Sequence, residues 1–212
     1  MLAALSAAIG AGDTAPAQPS GLRIGTRRGT PVDLRLFRPQ GTRVAVLAGA
    51  IPVQLLTLRA ATVGAVIRVQ SPRPQAWGAV IRHGVDVSIA PPGAGFPPPG
   101  TPDAPVLIVD DRPAEAGGLG DVGSWQCRLD LRSVATLSDL SSFGRADLML
   151  FGQVSSSVAT ALARTMGLNM SLVGQLAAIG PGTVALVWPG GIHYVELDPS
   201  EAERQILAQS SR

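Results

Sequence analysis

Apolar and polar positions alternate along the chain in two different periods, and the switches between them lay out its elements. The stretch "LRIGTRRGTPVDLRLF" puts Leu22 and Ile24, then Val32, Leu34 and Leu36, on alternate positions either side of Gly29. Period two around a glycine turn predicts a β-hairpin with one buried face. "TRVAVLAG" is a continuous apolar run, the pattern of a strand covered on both sides. "AIPVQLLTLRAATVGA" spaces Leu55, Leu56, Leu58 and Val63 for a helix, with Pro52 in the first turn, where a missing N–H costs no hydrogen bond. "AVIRVQSP", "VDVSIAP" and "VLIVDD" read as further strands, and "RPQAWGAVIRHG" as a helix stopped by Gly84. The pentapeptide GAVIR occurs at Gly64 and again at Gly78; its flanks predict strand for the first copy and helix for the second.

The second half repeats the alternation. "WQCRLDLR" places Trp125, Cys127, Leu129 and Leu131 against polar partners, which predicts a half-exposed strand. "ADLMLFGQV" reads as a strand, "SSSVATALARTM" as a helix closed by Gly167, and "SLVGQLAAI" as a shorter helix. "TVALVWPGGIHYVEL" predicts a hairpin turning at Pro189, Gly190 and Gly191. In "DPSEAERQIL", Asp198 reads as N-cap, Pro199 as the first helical residue and Glu201 as the partner in a capping box. Strands alternating with helices predict an α/β fold: a mostly parallel sheet flanked by helices, with N-terminal and C-terminal β-hairpins. Right-handed crossovers gather the strand C-termini on one edge, where ligands bind in such folds. Residues 1–20 read as a disordered or clipped tail and linker, and 21–212 as one α/β domain with a Pro-rich loop over 91–105.

Composition narrows the functional classes. The chain has 212 residues, 46% hydrophobic and 15% charged, so a self-sufficient core is within reach. All 17 basic residues are arginine, scattered except for the pair Arg27 and Arg28. A net charge of +2 without a clustered basic face argues against nucleic acid as a partner. The lone Cys127 excludes an internal disulfide, and two distant histidines, His83 and His193, offer no Cys/His metal cluster. "MLAALSAAIGAG" is apolar but too short to span a bilayer, and no basic residue precedes it as in a secretory signal. These features predict a cytoplasmic location, with any membrane association made through partners or an N-terminal segment ahead of this chain.

Three stretches carry candidate chemistry. "GLGDVG" (118–123) copies the dinucleotide glycine pattern, which requires a strand directly before it and a helix directly after. The segment after it is the period-two "SWQCRLDLR", so the motif reads as a loop. The turn after "RVAVLAG" is where an α/β protein holds phosphate. Counting from Gly49, the second glycine, the lysine and the hydroxyl of a P-loop fall on Gln54, Leu55 and Leu56, and the chain contains no lysine. The dinucleotide spacing fails there as well, on Ile51 and Gln54. "VLIVDD" ends an apolar strand in Asp110 and Asp111, either a magnesium-holding acidic pair or simply the acidic end of a parallel strand. The run Ser155 to Ser157 is either a candidate for catalysis, as in a transferase, or the cap of the following helix. Trp77, Trp125 and Trp188 are either partner anchors or core residues.

The order of these pieces resembles the FtsK-like ATPase core, which includes the ATPases of actinobacterial type VII secretion. "RVAVLAG" and its helix look like the first strand, P-loop and helix, and "VLIVDD" like Walker B. "ADLMLFGQVSSSVATALARTMGL" is similar to the later strand and its Ser-rich helix start, and "IGPGTVALVWPGGIHYVEL" to the terminal hairpin. The resemblance spans residues 31–210. It implies a degenerate copy in which Gly49, Asp110 and Asp111 mark a vestigial cofactor site with no cofactor held. The implied role is a non-catalytic scaffold that binds a protein partner, a secretion ATPase or its membrane complex. The alternative is a Rossmann-like enzyme, nucleotide-dependent or a transferase, with an atypical loop.

Overall fold

A computed structural model describes residues 9–11, 21–91, 93–112, 121–132, 143–188 and 191–210. Its strands are β1 (Ile9–Ala11), β2 (Gly21–Arg27), β3 (Thr30–Arg35), β4 (Thr42–Leu47), β5 (Val66–Gln70), β6 (Val87–Ile89), β7 (Val106–Asp110), β8 (Gln126–Leu131), β9 (Leu148–Phe151), β10 (Thr183–Trp188) and β11 (Gly191–Leu197). The helices are α1 (Ala50–Thr62), α2 (Gly78–His83, entered through a 3-10 turn at Pro74–Trp77), α3 (Ser156–Met166), α4 (Ser171–Ala177) and α5 (Glu201–Ser210). The strands form one mixed sheet in the order β1-β3-β2-β11-β10-β9-β4-β8-β7-β5-β6. The block from β9 to β6 is parallel, and the strands from β10 to β1 are antiparallel. This is the α/β class that the periodicity predicts, and the strands of both expected hairpins pair; Pro189 and Gly190, expected in the second turn, lie outside the described residues. Among the described residues, no helix is long and apolar enough to cross a membrane.

Burial explains the sheet order. β4, β7 and β9, the three continuous apolar runs, lie inside the parallel block, where both faces are covered. One face packs Val44, Val46, Leu107, Val109 and Leu129 beneath α1, α2 and α5. The other packs Ala45, Leu47, Met149 and Phe151 beneath Leu162 of α3 and Leu176 of α4. The hairpin β2–β3 turns through Arg28 and Gly29, both with positive φ (51° and 79°), the two-residue geometry that matches strand twist. Gly25 of β2 lies so close to the Glu196 carbonyl of β11 that any Cβ would collide with it.

Local signals set the helix ends. Ser155 caps α3 by accepting a hydrogen bond from the Val158 amide, and Gly167 closes it at φ 63°. The start of α5 differs from expectation. The capping box is Ser200 with Glu203: the Ser200 amide donates to Glu203 at 2.7 Å and the Glu203 amide to the Ser200 hydroxyl at 3.3 Å. Asp198 is drawn away from capping by Arg23 and Arg59. Arg59 also grips Glu203 through Nε and Nη2, at 2.8 and 2.9 Å, which fastens α5 to α1.

That grip has a pH signature. The Arg59 hydrogen bond holds the Glu203 carboxyl below its usual range despite partial burial. A depressed folded value stabilises the protein above the unfolded glutamate range, and the contribution is lost as pH falls through the depressed value. Glu203→Gln should therefore cost about 1–2 kcal/mol at neutral pH. Melting curves of parent and variant should converge as pH drops from 6 towards 3.

Candidate functional site

The C-terminal edge of the parallel block is the place to look for a ligand. β4 is its switch point: α1 leads from it past β7 and β8 to β5 on one side, while the chain returns from β8 to β9 on the other. At that point β4 ends at Leu47 and α1 begins at Ala50, so only Ala48 and Gly49 connect them. Gly49 adopts φ 71°, ψ −174°, a region essentially confined to glycine, and this allows so abrupt a turn. A phosphate-wrapping loop needs four residues between its glycines. Here Gly152, after β9, packs on the Ala48 backbone and donates its amide to the Leu47 carbonyl at 2.9 Å. Pro52 removes one more N–H from the first turn of α1.

The glycine motif lies at the opposite edge. Its described part, Asp121 to Gly123, leads into β8 from the N-terminal side, and no helix follows. Its backbone is used in packing: the Gly123 amide donates to Gln126 Oε1 at 2.7 Å, and the Val122 carbonyl occupies the space a Cβ on Gly41 would need. Residues 118–120 lie outside the described residues.

Asp110 and Asp111 point to opposite faces at the end of β7, and each is already engaged. Asp110 is fully buried and takes two hydrogen bonds from the Arg112 side chain, at 2.9 Å each, one from the Arg112 amide at 3.1 Å and one from Arg128 at 2.8 Å. Burial alone would raise its carboxyl, but the Arg112 hydrogen bonds and the charges of Arg128 and Arg112 hold it below the usual range. Asp111 accepts from Ser71 Oγ at 2.7 Å, from Arg73 at 2.8 Å and from Trp77 Nε1 at 3.4 Å.

The period-two segment is a strand, β8, but its polar face is buried and not half-exposed as the alternation predicts. Arg128 is 1% exposed: it pairs with Asp110 and with Asp130 at 2.7 Å, and Phe96 lies 4.8 Å over its guanidinium. The charged residues of β7 and β8 satisfy one another, and the Pro-rich loop covers them. Gln126 pins that loop by donating to the Pro97 and Pro98 carbonyls. Asp130 behaves oppositely to Asp110. Burial pushes its carboxyl up, although Arg128 and Arg132 oppose the shift. Burial likewise raises the Cys127 thiol far above its ordinary value, so it is no nucleophile at neutral pH.

The tryptophans resolve into packing. Trp77 is 1% exposed and belongs to the core, while Trp125 and Trp188 are partly buried against it, so none of the three is an exposed anchor. Ser155 Oγ lies 3.0 Å from Ser157 Oγ; neither is hydrogen-bonded to a histidine or carboxylate among the described residues. The residues that the sequence reading passed over are Arg112, Arg128, Arg73 and Phe96. A signal existed: "RLDLR" sets Arg128, Asp130 and Arg132 on alternate positions, as a strand lying beside another charge-bearing strand would. No protein-family model and no curated protein matches the chain.

Removing the Asp110 charge should be costly because it takes from the buried Arg128 a carboxylate that neutralises it. Asp110→Asn should lower stability by about 3–5 kcal/mol, and the double change Asp110→Leu with Arg128→Met should recover most of that loss. Urea denaturation of the three proteins measures both.

Proposed function

We propose that the chain is a non-catalytic, ATPase-like scaffold that binds a protein partner within a type VII secretion-like assembly. The observation that carries this reading is the acidic pair at the end of β7. It ends a buried apolar strand, as the resemblance implies, yet its oxygens are taken by Arg112, Arg128, Arg73, Ser71 and Trp77. A metal ion at Asp110 would have to displace two guanidinium groups from a buried carboxylate. The two-residue connection at Gly49 supports the same conclusion, since it leaves no loop to wrap a phosphate. The order of elements, with a Ser-capped helix after β9 and a terminal hairpin, fits the FtsK-like resemblance stated from the sequence. Ser155 caps α3 and both aspartates are engaged by arginine, which favours the scaffold reading over the enzyme alternative.

Calorimetric titration with ATP and magnesium tests the loss of the nucleotide site. No heat of binding is expected at millimolar nucleotide, and micromolar affinity would overturn the reading. Cross-linking in the native cell tests the partner: recovery of secretion-ATPase subunits is expected, and their absence counts against the assembly.

A further inference from the structure

At the β6 end of the sheet, the two faces of β5 and β6 are used differently. On one face Ile67, Val69 and Val87 join the core beneath α1 and α2. Arg68 and Ser88 point to the other face and stand side by side, because the parallel register sets one opposite the other. They floor a cleft of about 260 Å³ walled by Pro91, Ala94, Gly95 and Pro97 of the Pro-rich loop.

The main chain aims the arginine. The Ile67 amide donates to the Asp86 carbonyl at 3.0 Å, so the Ile67 peptide edge faces β6. Arg68 Nη1 donates to the Ile67 carbonyl at 3.0 Å, which draws the guanidinium towards Ser88. That is its single hydrogen bond among the described residues, and it has no ion-pair partner among them. Its charge is half-buried without a counterion. Asp110, on the same face at the end of β7, is held by Arg112 and Arg128. Asp86 is exposed and does not reach ion-pair distance.

The walls decide what kind of ligand can enter. The Pro91 carbonyl accepts from the Ala94 amide at 3.0 Å, the Ala94 carbonyl from Gln70 Nε2 at 3.3 Å and the Pro97 carbonyl from Gln126 Nε2 at 2.9 Å. Those acceptors are spent on the protein itself. Unspent are donors: the remaining N–H groups of Arg68 and the Ser88 hydroxyl, which has no hydrogen-bond partner among the described residues. We propose that this cleft binds a small free carboxylic acid with a short aliphatic body, its carboxylate on Arg68 and Ser88 and its body against Ala94 and Pro97. A planar guanidinium matches a carboxylate through two parallel hydrogen bonds. One arginine, with Asp86 nearby, suits a monoanion better than a doubly charged phosphate. A peptide C-terminus would bring N–H groups for which these walls keep no acceptor. The volume lies below the roughly 300 Å³ at which drug-sized pockets begin, which also sets a nucleotide aside. The assignment goes beyond the scaffold reading and does not depend on it.

The test is a titration of the ¹⁵N-labelled full chain, read at the Ala94 and Gly95 amides. The ligands are sodium 3-methylbutanoate, its neutral amide, sodium acetate, inorganic phosphate and acetyl-Gly-Gly-Val, all at one ionic strength. The branched acid should shift both amides saturably, bind more tightly than acetate, and exceed its amide by about tenfold or more. Arg68→Gln removes a half-buried charge without a counterion, so it should fold as the parent does while weakening the acid by about tenfold or more. Ser88→Ala should weaken it by about threefold, and Arg82→Gln, at an exposed arginine of α2, by about twofold at most. No saturable shift, an amide that matches the acid, phosphate binding more tightly, or equal effects of Arg68→Gln and Arg82→Gln would overturn the site. Acetate matching the branched acid would overturn the aliphatic body. Tighter binding by the peptide would give the cleft to a chain end and overturn the free acid.

Discussion

The buried contact between Arg128 and Asp110 is the constraint around which the parallel half of the sheet is organised. Two opposite charges lie almost wholly out of water, a position that is tolerable only if both are fully hydrogen-bonded. Arg112, Asp130 and the ring of Phe96 complete that satisfaction, and each comes from a different stretch of chain. The contact therefore fixes the register of β7 on β8 and recruits the Pro-rich loop as its cover. An apolar pair could match the stability but would not hold Phe96 and the loop at this place.

The same constraint engages the acid of β7 at the edge where an open α/β sheet ordinarily binds a ligand. In open α/β sheets the crevice at the switch point is the natural site for a phosphate. Here its two prerequisites are spent elsewhere. The loop after β4 is reduced to Ala48 and Gly49, and Gly152 packs against it. The acid of β7 neutralises an internal arginine.

Much of the architecture was legible because burial on both faces of a strand demands an unbroken apolar run, and "RVAVL", "VLIVD" and "DLMLF" have no other good use. The identical GAVIR copies fold differently, one leading into β5 and the other forming α2, because flanking Pro74 and Gly84 bound the second as a helix. The polar face of β8 was misread for a physical reason. Alternation reports which side chains share a face, but exposure depends on what lies opposite, and Asp110 stands 18 positions away in sequence. The α5 cap was placed too early because Asp198-Pro199 imitates a helix start, whereas Arg23 and Arg59 compete for that carboxylate.

The central claim is that Asp110 serves as an internal counterion and not as a metal ligand. Its most direct test is the side-chain carboxyl resonance of Asp110, followed by ¹³C NMR against pH with and without millimolar magnesium. The account predicts a carboxyl that stays ionised well below the ordinary aspartate range and a resonance that magnesium leaves in place. A resonance that moves saturably with magnesium, or that titrates in the ordinary range, would contradict it.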